Sequence, residues 1–377
     1  FVEAKRTVGA GIIYLTQGLE THKNNQAVLN GAERVGLYMA LQSEYSQLIC
    51  RHIDLDPAMD TPEQQADIIT QELSLESPKV SICYRNKQRY SRYLEPIELP
   101  VPAVTKTANA EQRVLITGGT RGLGLLCAQH LVKQHGIKHL VLSGREALPP
   151  VSQWQQKDQF STAIQDKITH IQALQALGAE VFVCCLTLDD PALLKQEYQA
   201  MQKATGEITG VLHAAGATDH DNLAFIRKTP ASMAKVLSPK VTGLTQLMTL
   251  LDPDKLQFVL LFSSVSAVIP SLAAGQIDYA MANSFMDYYA SMHHPQLPIV
   301  SIQWPSWKTT GMGEVKTAAY QNTGLHSISD VEGLALFDQI LANLQQPVIM
   351  PVVMDATRFT PETLLQVPEK ANPEKAN

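Results

Sequence analysis

No stretch of this chain comes near the roughly 18 to 20 consecutive apolar residues that a membrane-spanning helix needs, and no signal peptide is visible in its first residues. Cysteine is scarce and unpatterned. The five (Cys50, Cys83, Cys127, Cys184 and Cys185) are odd in number, form no C-x-x-C pair and mostly lie inside apolar runs. That argues against a disulfide framework and for reduced core thiols in a cytoplasmic protein. A dominant charge is missing too. With 30 basic residues against 36 acidic ones, a formal net of -6, and no lysine or arginine run, neither nucleic acid nor a membrane is an expected partner.

What the chain does have is length, since 377 residues suffice for two domains around a buried core. It starts at Phe1 without an initiator Met and ends in VPEKANPEKAN, which reads as linker. A piece of a longer polypeptide is therefore expected, although processing or an omitted Met would leave the same start. Residues 10–100 alternate strand-like runs at 12–15, 52–55 and 79–84 with helix-period stretches such as 31–48. In that stretch Val35, Tyr38, Leu41, Tyr45 and Leu48 recur at three- and four-residue spacing, as in half of a doubly wound α/β sheet. The first strand runs into QGLETHKNN, whose single glycine makes no phosphate-cradling turn, so a structural role is expected. A Pro-, Ala- and Thr-rich break follows at 98–112. From Arg113, strands near 113–117, 138–143, 180–185, 209–213, 257–263 and 298–302 alternate with helical stretches, which implies parallel pairing.

RVLITGGTRGLGLLCAQHLV, residues 113–132, takes an apolar strand through a glycine turn into a helix. Gly118, Gly122 and Gly124 permit the turn and let backbone approach a pyrophosphate, whose charge the helix amides favour. Further on, an NAD-preferring site would place an acidic residue, and an NADP-preferring one a basic residue. VLSGRE stands there, so Arg145, helped by Ser143 and Arg121, argues for NADPH; Glu146 is the competing feature and a merely solvated Arg145 the alternative. GVLHAAG, residues 210–216, ends in the small residues that a nicotinamide wall requires, while His213 is equally well a core histidine and is given no catalytic work.

Residues 257–263 form a strand whose carboxyl end delivers Ser263 and Ser264 to the mouth of the sheet, where open α/β folds bind ligands. Tyr279 and Asn283, four apart, share one face of a helix starting near 276. A free tyrosine, with a pKa of about 10, is a poor acid or base at neutral pH. A nearby ammonium favours the tyrosinate, and Lys240 in VLSPKVTG, on the preceding helix, is the candidate.

Taken together, TGGTRGLG, LSGR, HAAG, SPKVTG, FSSVSA, DYAMANSFMD and WPSWKTTGM resemble the ketoreductase domain of modular polyketide synthases, particularly the bacterial type whose acyltransferase acts in trans. The likeness covers nearly the whole chain. It implies an α/β fold of two Rossmann-like subdomains: a structural one lacking cofactor at 1–107, a catalytic doubly wound parallel sheet at 108–360, then a linker tail at 361–377. It also implies NADPH-dependent reduction of a β-ketoacyl thioester on an acyl carrier protein, among neighbouring megasynthase domains, with no metal. Tyr279 would donate the proton, Lys240 lower its pKa and hold the nicotinamide ribose, Ser264 bond the substrate carbonyl, and Asn283 support Lys240 through a proton-relaying water. Gly118, Gly119, Thr120, Arg121, Gly122, Leu123, Gly124, Ser143, Arg145, Leu188, Ala214, Ala215 and Gly216 would join Lys240 and Tyr279 around the cofactor, with Asp221 and Met312 at the substrate.

The serine assignment has a rival. Ser266 would restore the family's serine-to-tyrosine gap, while Ser264 keeps the lysine-to-serine spacing and the strand-end position. Asp221, in GATDHDNLAF, sits near the aspartate that marks B-type reduction to the D-hydroxyl, with Asp219 the runner-up. The tryptophan mark of the family is absent, as only Trp154, Trp304 and Trp307 exist. Where the family has an aspartate near the adenine, CLTLDD offers Thr187, so recognition would lean on backbone or on Asp189. The loop from Trp307 past Gly311, Met312 and Gly313 matches the family's lid. Two further readings share these motifs: a reductively silent scaffold or epimerase domain, and a free-standing short-chain dehydrogenase, which the long segment before Arg113 disfavours.

Overall fold

The computed structural model describes residues 10–366, apart from 46, 60, 76 and 101–110. Strands β1 (Ala10–Gln17), β2 (Leu48–Leu55) and β3 (Ser81–Arg85) pair in parallel, and β4 (Gln88–Ser91) adds an antiparallel edge through a turn at Asn86 and Lys87. Helices α1 (Ala32–Glu44) and α2 (Pro62–Ser74) make the crossovers. Helix α1 is shorter than the expected 31–48. The Tyr45 N–H closes it onto the Leu41 carbonyl, and Leu48 already belongs to β2, where it and Cys50 turn inward with a strand's alternation.

The second sheet has seven parallel strands among the described residues. They are β5 (Arg113–Thr117), β6 (His139–Gly144), β7 (Glu180–Cys185), β8 (Gly210–His213), β9 (Phe258–Ser264), β10 (Ile299–Trp304) and β11 (Val348–Ile349). Their spatial order is β11-β10-β9-β8-β5-β6-β7. The chain winds outward one way from β5 and the other way from β8, so the switch point lies between those two strands, where such sheets bind ligands. The intervening helices are α3 (Gly122–His135), α4 (Thr162–Ala176), α5 (Pro191–Thr205), α6 (Pro230–Leu237), α7 (Thr242–Leu250), α8 (Pro270–Ala273), α9 (Ile277–His293), α10 (Ala318–Asn322), α11 (Asp330–Ala342) and α12 (Pro361–Leu364).

Alternation sorts the strand residues onto two faces. Ile116, Leu142, Phe262 and Ile302 pack toward α3, α4 and α11, while Leu115, Val141, Val211 and Leu261 pack toward α5, α7 and α9. Each such side chain contributes about 1.5 to 3 kcal/mol on full burial. Both faces are covered, which is why β9 reads as an uninterrupted apolar run ending in serines.

Helix α9 is where the two halves meet. It is buried almost all round, and α1 lies so close that a Cβ on Gly36 would sit 2.7 Å from the Ala280 carbonyl oxygen. Glu20, after β1, accepts the Tyr288 hydroxyl at 2.8 Å and pairs with Arg92 at 2.9 Å. On the opposite face, His130 and His135 of α3 share one carboxylate oxygen of Asp338 on α11, each at 2.7 Å. Burial pushes that carboxyl up, but the two imidazole hydrogen bonds outweigh it and hold the group at about 2.

The expected break at 98–112 lies mostly outside the described residues, as do tail residues 367–377. Of residues 361–366, placed in the tail from sequence, Pro361–Leu364 form α12, Leu364 is buried in a cluster with Val265 and Ile269, and Gln366 bridges to Lys79. Among the described residues, no helix is long and apolar enough to cross a membrane.

Candidate active site

Beyond Thr117 the chain turns at the carboxyl edge of the sheet. Gly118 has φ 69° and lies where a Cβ would press on Ala214; a Cβ on Gly124 would come within 2.6 Å of the Gly118 carbonyl oxygen. Helix α3 follows Arg121 with no side-chain cap and no acidic residue in its first turn. Its leading amides are therefore left to an anion, and a dinucleotide pyrophosphate fits them. Arg121 and Arg145 are both exposed beside this turn. Glu146 is drawn to Lys167 at 2.7 Å; that hydrogen bond, with Lys167, Arg121 and Arg145 charges around it, keeps its carboxyl below the usual range. Ser143 is buried and its carbonyl accepts the Gly119 N–H at 3.1 Å. Thr120 is buried too and lies against Gly144; Gly122 is exposed, and Leu123 is half-buried against the core. The Leu188 side chain packs in the core with Leu115 and Val211. Thr187 commits both N–H and hydroxyl to Glu197, at 2.6 and 2.9 Å, which leaves exposed Asp189 as the side chain on that rim.

His213 ends β8 in the core. The Pro239 carbonyl, 3.1 Å from Nε2, can only accept, so Nε2 carries the hydrogen and Nδ1 accepts the Thr117 hydroxyl at 2.9 Å. Thr117 in turn accepts the Ala215 N–H at 3.2 Å. Burial, then the Lys240 charge, lowers the imidazole to about 3, so it stays neutral. His213 thus joins the ends of β5 and β8 to the residue just before Lys240, a positioning role that the sequence left open.

Lys240 lies in the turn between α6 and α7 rather than on a helix, because Pro239 cannot continue α6. Gly216 makes room for it: a Cβ there would meet Lys240 Cε at 2.9 Å. The Lys240 Nζ donates to the Phe262 carbonyl and to Asn283 Oδ1, both at 2.7 Å, and stands 5.5 Å from the centre of the Tyr279 ring. The Asn283–Lys240 contact is direct, where a water relay was expected. Asn283 Nδ2 donates to the Tyr279 carbonyl at 2.8 Å, so the four-residue spacing on α9 performs a specific task.

Ser264, at the end of β9, accepts from the N–H and the hydroxyl of Ser266 at 3.2 and 3.0 Å. Burial raises the Tyr279 phenol, while the Asn283 and Ser264 side chains pull it back down. The Ser264 side chain is thus in contact with the phenol, and Ser266 with Ser264. Lys240 is driven by burial down to about 7, with Asp287 pulling the other way. Asp287, one turn beyond Asn283, is a buried carboxylate that sequence reasoning missed. It accepts Ser301 Oγ at 2.6 Å and Gln303 Nε2 at 2.7 Å, and burial raises it to about 6.

The loop after β8 separates its two aspartates. Asp221 is exposed, whereas Asp219 accepts the N–H groups of Asp221 and Asn222 at 3.2 and 3.1 Å. Burial would raise Asp219; the Asn222 hydrogen bonds and the Lys228 charge outweigh it and lower the carboxyl. In the expected lid, a Cβ on Gly311 would lie 3.6 Å from Leu123 of the glycine turn, and Met312 is 55% exposed beside it.

A family model described as the KR domain matches residues 113–309, from the first strand of the large sheet to the lid. The chain belongs to the KR domain family. It is 47% identical over 357 residues to "Polyketide synthase PksL" of Bacillus subtilis, covering 94% of this chain and 8% of that protein. It is 35% identical over 229 residues to "6-methylsalicylic acid synthase" of Aspergillus terreus, covering 59% of this chain and 12% of that protein. The chain thus spans about a tenth of the curated relatives it matches. Among solved structures, an N-terminal ketoreductase from the macrolactin assembly line matches with TM-score 0.72 and 26% identity, over 93% of this chain and 65% of that one. A ketoreductase domain from the bacillaene assembly line matches with TM-score 0.75 and 25% identity, over 95% and 80%. This KR domain is accordingly an oxidoreductase module of the nicotinamide-dependent kind.

Its smaller sheet holds an anion of its own. At the end of β1, where a dinucleotide fold would offer amides to phosphate, the N–H groups of Leu19 and Glu20 go to the Asp54 carboxylate at 2.8 and 3.0 Å. Thr16 Oγ1 at 2.6 Å and Arg85 Nη2 at 2.6 Å complete the same carboxylate's shell. The chain therefore satisfies these amides with its own carboxylate.

Proposed function

We propose that this KR domain reduces a β-ketoacyl thioester to the β-hydroxyacyl thioester with NADPH, in polyketide biosynthesis, by the B-type course that gives the D-hydroxyl. The substrate is carried on an acyl carrier protein and supplied by neighbouring megasynthase domains. The observation that carries the reading is the Lys240 amine, held at 2.7 Å by Asn283 and Phe262 and 5.5 Å from the Tyr279 ring, at the carboxyl end of β9.

When bound, the nicotinamide supplies hydride to the β-carbonyl carbon. The side chains handle the oxygen. Ser264 accepts from Ser266, and its one O–H, which lies within reach of the Tyr279 phenol, would turn to the substrate carbonyl when substrate is bound. Tyr279 gives that oxygen its proton, and the phenolate left behind is favoured by Asn283 and the Lys240 ammonium. Arg121 and Arg145, with Glu146 engaged by Lys167, support the 2′-phosphate of NADPH. Exposed Asp221 supports the B-type course, since Asp219 is committed to the loop. The five cysteines, all free thiols, fit a reducing, cytoplasmic setting.

The test is turnover of a β-ketoacyl thioester surrogate with NADPH and with NADH, followed by chiral analysis of the product. NADPH-dependent formation of the D-hydroxy thioester is expected. No NADPH oxidation with any surrogate would overturn the reductase reading, and an L-product would overturn the B-type assignment alone.

A further inference from the structure

Glu44 ends α1, in the half where Asp54 satisfies the amides after β1, yet its carboxylate reaches the edge of the active site. One oxygen accepts the Phe225 N–H at 2.8 Å, and the other accepts the Gly275 N–H at 3.3 Å. Phe225 belongs to the loop that follows β8; Gly275, with φ 74°, lies in the turn that feeds α9 four residues before Tyr279. A single carboxylate from one subdomain therefore links the loop and the tyrosine helix of the other.

The same loop is pinned at its far end. Lys228 Nζ lies 2.8 Å from Asp278 and 3.6 Å from Asp219, and the three side chains are 0%, 2% and 11% exposed respectively. The second Asp278 oxygen accepts the Tyr279 N–H at 3.0 Å. Removing a charged triad of this kind from water is costly, and geometric specification is its best-attested use. Between these fixed points Leu223 and Ile226 are left 52% and 54% exposed. Leu223 faces Gly275, where a Cβ would come within 3.9 Å of it.

We propose that Glu44 is a positioning residue for the substrate: through Phe225 and Gly275 it fixes residues 219–228 against the start of α9. The subdomain without cofactor thereby sets the path of the acyl chain along Leu223 and Ile226, and with it the carbonyl face presented to hydride. The proposal rests on the reductase reading above and adds the residue that aligns its substrate.

Glu44→Ala and Glu44→Gln, made in the full chain, test it with readouts that a merely structural role would not move together. Amide exchange at Phe225 and Gly275 should quicken at least about tenfold in Glu44→Ala, since a hydrogen bond to a charged acceptor is lost, while the β9 amides keep their protection. KM for a β-ketoacyl thioester surrogate should rise about fivefold or more with a loss of product optical purity, while the NADPH Kd stays within about twofold. Glu44→Gln, which keeps one acceptor oxygen, should fall between. Unchanged exchange at both amides overturns the clamp. Faster exchange with unchanged KM and enantiomer ratio overturns the positioning role, and so does an equal loss of NADPH affinity. A wild-type protein that reduces no surrogate overturns the reductase reading instead, and the exchange arm still decides whether Glu44 holds the loop.

Discussion

Asn283→Ala removes one of the two acceptors that hold the Lys240 ammonium at 2.7 Å. A hydrogen bond to a buried charge is worth about 1.5 to 3 kcal/mol, and an acceptor favours the charged form, so its loss lowers the lysine pKa. Taking about 2 kcal/mol at about 1.36 kcal/mol per pH unit, the amine should fall by about one and a half pH units. It begins at about 7. At pH 7.5 the ammonium fraction would drop from about one in four to about one in a hundred, roughly twentyfold. The assay is kcat/KM for a β-ketoacyl thioester surrogate across pH 5.5 to about 9. Because the ammonium supports the phenolate, wild-type activity should fade as pH rises through 7, and the variant's descending limb should move to lower pH. A variant that loses rate at every pH with its limb unmoved would refute the reasoning, since Asn283 would then act without setting the charge of Lys240.

Gly36→Ala tests the seam between α1 and α9. Ordinarily the change would gain about 1 kcal/mol of helix propensity, but the new Cβ would meet backbone of Ala280 and Met281 at 2.7 and 2.8 Å, which cannot rotate away. Overpacking of about 1 to 3 kcal/mol should win, lowering the melting temperature and kcat together; a variant more stable than wild type contradicts this contact. Arg145→Ala should raise KM for NADPH about tenfold or more and leave KM for NADH within about twofold, because only NADPH carries the 2′-phosphate. Equal effects on both cofactors would remove Arg145 from the phosphate site.

Much of the site could be read in the sequence because its parts are local. Strand, glycine turn and helix stand in order at 113–132, and Tyr279 and Asn283 are set on one face by helical spacing. Lys240 was identified by residue type, but its setting was not: Pro239 places it in a turn, and the burial that shifts its pKa comes from β9 and α9 packed around it. Long-range partners leave no periodic trace. Glu44 meets Phe225 across 181 residues and Gly275 across 231, and Asp54 meets Arg85 across 31, with nothing local to mark any of them. The helix expected over 31–48 ran too far because Leu48 falls three residues after Tyr45, on the helical spacing, although it is already the first residue of β2. His213 shows the same limit: only the facing Thr117 and Pro239 decide that its ring is a neutral cross-brace.

The central claim is that Tyr279, paired with Lys240, protonates the oxygen that hydride leaves reduced. Single-turnover NADPH oxidation by Tyr279→Phe, with a saturating β-ketoacyl thioester surrogate, tests it most directly. The account predicts a rate lower by about a hundred- to ten-thousandfold, the range for a lost general acid, with NADPH Kd within about twofold of wild type. A variant that binds NADPH normally and turns over at near wild-type rate would contradict it.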